Sequence, residues 1–158
     1  MDALPRRDRN HLLLSTALIG IGVMAAVDEI VFHQLLSWHH FYVGSTLDIA
    51  LLSDGLLHAA ELIAVVGGFF MFADLRDRGV RSPALAWGGF LIGAGAFQVF
   101  DGMIDHKVLR VHQIRYGVDN LLAYDLVWNA FGMILIVIGI LLLKRTAYAT
   151  SSSTTHND

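Results

Sequence analysis

The chain has 158 residues, 55% of them apolar and 16% charged, with a mean hydropathy of +0.57 and a formal net charge of −3. That is too apolar for an ordinary soluble domain and too short for several, so a single membrane domain over residues 1–149 is expected. Eleven Lys and Arg, scattered along the chain, form no basic stripe and exclude nucleic acid as a partner, while the absence of cysteine excludes disulfides, thiolate metal sites and thiol chemistry.

The first apolar stretch, 12–36, follows Arg6, Arg7 and Arg9. It runs well past Ala25 and Ala26, too far for the apolar core of a cleavable export signal, and is expected to stay as a transmembrane helix. Three further stretches, 55–73, 84–106 and 125–143, also approach or exceed the roughly 20 helical residues that cross a hydrocarbon layer of about 30 Å. None alternates with the two-residue period of a barrel strand, so each is expected to be an α-helix that satisfies its own backbone in lipid. The fold class is therefore all-α, an integral membrane four-helix bundle. Arg76, Arg78 and Arg81 in the second connection, with Lys144 and Arg145 after the last span, join the N-terminal arginines on one side; Lys107, Arg110 and Arg115 face the other. The positive-inside rule then puts both termini in the cytoplasm. The Ser/Thr-rich tail, 150–158, is expected to be disordered.

The chain also matches itself. At an offset of 73, Asp28 falls on Asp101, His33 on His106, His39 on His112 and Gly44 on Gly117; at an offset of 71, Asp48 falls on Asp119, Asp54 on Asp125 and His58 on Asn129. Gly20 and Gly22 likewise align with Gly93 and Gly95. The expectation is two tandem helical hairpins, about 12–75 and 84–145, in parallel orientation about a pseudo-twofold axis along the membrane normal. The polar ends of the spans then meet at the non-cytoplasmic end, where six of the eight histidines lie: His33, His39, His40, His58, His106 and His112.

If the helices continue through these motifs, Asp101, Asp105 and His112 share one face, as do Asp28 and His39 on the first span. Asp54 and His58 face together on the second helix, with Glu61 a turn deeper, and Asp125 and Asn129 repeat the arrangement on the fourth. Ionised groups inside a bilayer turn inward and find partners. Tethering of helix ends by hydrogen bonds explains any one histidine, His40 among them, but two matching Asp/His sets from all four helices exceed that need. They point to one or two transition-metal ions, copper, iron or zinc, bound by His33, His39, His106 and His112, with His58, Asp54, Asp125, Asp101, Asp105 and Asp28 as further candidates. Glu61, Asn129 and His40 are candidates for orienting or proton-carrying roles. Two alternatives stay open: proton or ion conduction through Glu61, and a haem held between His33 and His106, against which the adjoining carboxylates argue.

The runs DEIVFHQLLSWHH (28–40), SDGLLHAA (53–60) and DGMIDHKVLRVH (101–112) resemble a bacterial membrane-protein family known as domain of unknown function 2243. The resemblance covers nearly the whole four-helix region and implies a four-helix protein of the bacterial cytoplasmic (inner) membrane, with no established activity. It also implies a setting near respiratory membrane proteins, which, with the lipid bilayer and a second copy of the chain, are the expected partners. Asp101 stands where the family pattern has glutamate, and Gln113 follows His112 where the pattern has a second histidine.

Overall fold

The computed structural model describes residues 4–154, with side chains described for 4–145, and every regular element among the described residues is helical. Helix α1 (Arg6–Val27) passes directly into a π-helical segment, π1 (Asp28–Leu35); α2 spans Leu47–Asp77; α3 (Pro83–Phe100) passes into π2 (Asp101–Val108); α4 spans Leu121–Thr154. Four continuous helices, Arg6–Leu35, Leu47–Asp77, Pro83–Val108 and Leu121–Arg145, are long and apolar enough to cross a membrane. Most extend beyond the apolar stretches, because hydropathy marks the hydrocarbon thickness whereas intrahelical hydrogen bonds continue into the polar interface. The backbone of 150–154, expected within a disordered tail, continues α4, and 155–158 lie outside the described residues.

The connection between α2 and α3 shows how local sequence ends and restarts a helix. Gly79 takes the left-handed conformation (φ 78°), while Val80 N–H donates to Leu75 O at 2.9 Å and Gly79 N–H to Arg76 O at 3.0 Å. This is the capping arrangement in which an apolar residue after the glycine packs back on the last turn. Val80 and Leu75 duly join Leu12 and Leu85 in a buried cluster. Pro83, whose missing N–H costs nothing in a first turn, starts α3.

The helices lie in the order α2, α1, α3, α4: α1 packs on α3, α2 packs on α1 and α4 packs on α3, and among the described residues α2 and α4 do not meet. The four-helix arrangement is thus an open row and not a closed ring. The reason is steric. Small residues let α1 and α3 approach until a Cβ at Gly20 would strike the Phe90 carbonyl, and one at Gly93 the backbone of Ala17. Gly22 similarly packs against Glu61 and Val65 of α2, and Gly95 against Gly132 and Ile136 of α4. The outer surfaces of α2 and α4 carry large exposed apolar residues, among them Ile63, Phe70, Leu126 and Val127.

Replacing Gly93 by Val is therefore expected to destabilise the protein by about 1–3 kcal/mol through overpacking. A Cβ at Gly55, in mid-helix, meets nothing within 4 Å. Gly55→Ala is expected to stabilise by about 0.5–1 kcal/mol. Thermal unfolding in detergent should move the two midpoints in opposite directions.

Candidate metal centre

Both polar motifs have aspartate five residues before histidine. In an α-helix those positions lie about 140° apart; in a π-turn, bonded i to i+5, they return to nearly the same side. The structure takes the second course twice. His33 Nε2 is 3.5 Å from Asp28 Oδ2, and His106 Nε2 is 3.2 Å from Asp101 Oδ2. Each π-segment ends in the same way. Leu36 N–H bonds to Val31 O (2.9 Å) and Leu109 N–H to Ile104 O (2.8 Å), and the left-handed residues Ser37 (φ 49°) and Arg110 (φ 52°) turn the chain out of the helix.

His39 and His112 are consequently not on helices. This corrects the expectation that Asp28 stacks with His39, and Asp101 with His112, along continuing helices: the helical segments stop at Leu35 and Val108 and both histidines sit in loops. The loops cross. His39 Nδ1–H donates to the Ile114 carbonyl and His112 Nδ1–H to the Phe41 carbonyl, each at 2.8 Å. Backbone bonds from Val43 N–H to Val111 O and from Tyr116 N–H to Trp38 O, both 3.4 Å, reinforce the crossing. Arg115 lies 4.6 Å over the Trp38 ring and donates to the Tyr124 hydroxyl at 2.6 Å, which pins the loops to the start of α4.

The crossing gathers four imidazoles, all at most 4% exposed. His39 stacks on His112 (centroids 4.5 Å, 9°), His33 meets His39 edge-on at 4.4 Å, and His106 meets His112 at 4.6 Å. His106 Nε2 and His112 Nε2 are 2.9 Å apart, and Asp101 Oδ1 is 3.4 Å from the latter. Ligand atoms of His33, His39 and His112 all lie within 4.8 Å of one another, as do those of Asp101, His106 and His112. Nε2 of His33 and of His39 has no hydrogen-bond partner among the described residues.

A ring of acids orients His33. Its Nδ1 is 2.7 Å from Glu29 Oε2 and 3.2 Å from Asp54 Oδ1. Asp54 also accepts the Phe41 N–H (2.7 Å) and faces His40 Nδ1 (2.6 Å). Glu29, His33 and Asp54 are close enough to hold an ion themselves. Their geometry is better explained as orientation, because Nδ1–H donating to Asp54, with Glu29 alongside, leaves the Nε2 lone pair turned toward the other imidazoles.

Among the expected site residues, His33, His39, His106, His112, Asp28 and Asp101 come together, with Asp54 and His40 one layer out. The rest do not join them. Asp105 is buried, 8% exposed, but belongs to none of these groups. Asp125, expected as a ligand, lies 2.5 Å from Lys107 Nζ, whose charge it neutralises. Asn129 donates to the Asp125 carbonyl at 2.9 Å. The imidazole of His58 is half-exposed on α2 and pairs with buried Glu61 instead of entering the cluster. Glu29 is the residue that sequence comparison missed. It lies four residues before His33, a spacing that would have flagged it, but its counterpart in the second half is Gly102.

Burial, followed by the neighbouring imidazoles of His112, His33 and His106, pushes His39 down to about 2, so the ring is neutral with its lone pair on Nε2. Nitrogen-15 NMR of the histidine rings is expected to show His39 and His112 as Nδ1–H tautomers, with His39 remaining neutral well below the ordinary histidine pKa of about 6.5. Phe41 and Ile114 lend backbone carbonyls, so truncating their side chains should leave both tautomers unchanged.

No curated protein and no solved structure matches the chain. Residues 15–146, which hold nearly all of the four helices and the whole histidine cluster, match the family described as "Predicted membrane protein (DUF2243)". With that match over most of its length, the chain belongs to this family of membrane proteins.

Proposed function

We propose that the protein binds a transition-metal ion at the crossing of its two outer loops, through Nε2 of His33, His39 and His112, with His106 and Asp101 beside them. One observation carries this reading. Two loop histidines have Nδ1–H tied to backbone carbonyls of the opposite loop, so their Nε2 lone pairs converge on the buried Nε2 of a third. Such outer hydrogen bonds fix the tautomer and ring orientation of metal-ligating histidines. Simple packing of four neutral rings calls for no such arrangement.

The spacing fits. Tetrahedral nitrogen ligands at about 2.0–2.1 Å from zinc lie about 3.3 Å from one another. The His106–His112 separation of 2.9 Å needs to open by only a few tenths of an ångström. Imidazole with one carboxylate suits zinc, copper(II) and iron, and without thiolates a copper(I) carrier is disfavoured. When bound, the ion supplies Lewis-acid or redox chemistry; the chain's residues hold it, set the ring tautomers and exclude water.

We further infer that the chain is two copies of one helical hairpin about a pseudo-twofold axis, with the centre at the non-cytoplasmic face of the bacterial inner membrane and both termini in the cytoplasm. Support comes from the recurrence, 73 residues apart, of the π-segment, the left-handed residue after it and the reciprocal loop bonds. A setting near respiratory membrane proteins, where metal handling is needed, belongs to the same proposal. The alternatives have less support. A haem between His33 and His106 needs a flat slot through a cluster whose rings touch at 4.4–4.6 Å. Conduction through Glu61 needs a continuing polar path, yet no ionisable residue occurs between His11 and Asp28 or between Glu61 and Asp74.

The test is metal uptake. Detergent-purified protein, stripped with chelator and titrated with Zn²⁺ or Cu²⁺, is expected to take up one equivalent, and His39→Ala with His112→Ala to take up none while keeping its helical circular dichroism. Glu29→Gln should weaken binding about 10–100-fold by releasing His33. Absence of uptake in the parent, or undiminished uptake in the double variant, rules the reading out.

A further inference from the structure

We propose that the cleft between α1 and α2 is a lateral site, open to the lipid, for an apolar bilayer-dissolved molecule that bears a hydroxyl group. The cleft has a volume of about 400 Å³; its walls include Val23, Val27, Ile30, Leu62 and Val65, and among the described residues Glu61 is the only ionisable one lining it. Val23, Val27, Ile30 and Leu62 are themselves exposed, so the opening faces the hydrocarbon and not the crossed loops.

Glu61 makes this more than a groove between helices. It sits in the middle of α2 and is 3% exposed. One carboxylate oxygen pairs with His58, and Oε2 has no hydrogen-bond partner among the described residues. An acceptor left unpaired at that depth is costly, because lipid offers no donor. A hydroxyl on a ligand in the cleft supplies one. A cationic ligand fits less well, since the walls are apolar and the acid already has an imidazole partner.

The second half of the chain marks the feature as specific. The residue matching Glu61 is Gly132, and there a Cβ would meet the Val99 and Gln98 side chains. The acid thus belongs to one half only. Glu61 lies two turns along α2 from Asp54, on the same face and about 10 Å deeper. A molecule hydrogen-bonded to it sits under the acids that orient His33. This inference goes beyond metal binding and does not require it.

The probe is a diazirine-bearing alkylphenol, photolysed with the full-length protein in detergent and mapped by mass spectrometry, with and without prior metal stripping. Labelling is expected on the 23–31 and 61–65 segments in both preparations. Excess nonylphenol should displace it, and the methyl ether of nonylphenol, which has no O–H donor, should compete about tenfold less well, the worth of one hydrogen bond to a carboxyl group. Ala26→Phe, or Val27→Trp at an exposed wall position, should block labelling with Glu61 intact. Glu61→Leu should abolish the preference for phenol over ether. Labelling spread over the lipid-facing helices, insensitivity to both plugging variants, or equal competition by phenol and ether would overturn the proposal.

Discussion

Everything at the polar end of this membrane protein depends on the exchange of two hydrogen bonds between the loops that follow π1 and π2. His39 donates to the Ile114 carbonyl and His112 to the Phe41 carbonyl. Each bond does two things at once. It satisfies a backbone carbonyl in a segment with no regular secondary structure, and it determines which ring nitrogen keeps its lone pair. Without the exchange, two loop imidazoles would be free to rotate and to choose either tautomer. With it, they stack in parallel and present Nε2 to the centre.

The helices make the exchange possible by an unusual division of labour. Glycines and alanines bring α1 and α3 into backbone contact, and that closeness aligns the ends of the two π-segments from which the loops emerge. Helices α2 and α4 flank this pair, packing on α1 and α3, and bring carboxylates to the polar end. Asp54 on α2 reaches the loop at Phe41 and the His33 and His40 rings, while Asp125 on α4 meets Lys107. Buried carboxylates would be prohibitive here if left alone. Hydrogen bonds and facing imidazoles offset their desolvation.

The π-segments and the left-handed residues after them recur 73 residues apart, but several ionisable residues around them do not. Glu29, His40, His58 and Glu61 have as counterparts Gly102, Gln113, Asn129 and Gly132. The first half therefore carries the acids that hold His33 and the carboxyl that lines the lipid-facing cleft. His106, by contrast, has an Nδ1 without a partner among the described residues. The two π-segments and the loops after them thus have like backbones, and the side chains around His33 and His106 differ.

The number of helices, their approximate positions and the residue types gathered at one end were legible in the amino-acid sequence, because lipid demands long apolar helices and penalises each unpartnered charge. The recurrence of aspartate five residues before histidine in both motifs was legible as well, but helical spacing set Asp28 beside His39 and Asp101 beside His112, whereas the structure pairs them with His33 and His106. The sequence could not say that this spacing is closed by a π-turn, since hydropathy is blind to which carbonyl a backbone N–H selects. Nor could it reveal that His39 and His112 leave the helices and bond across to the other loop. Lys107 captures Asp125, and Glu61 draws His58 away. Those outcomes turn on contacts between segments about 70 residues apart or on competing partners close in the chain, where a difference of a few ångströms decides which group is bound. Only the packed tertiary structure sets such distances.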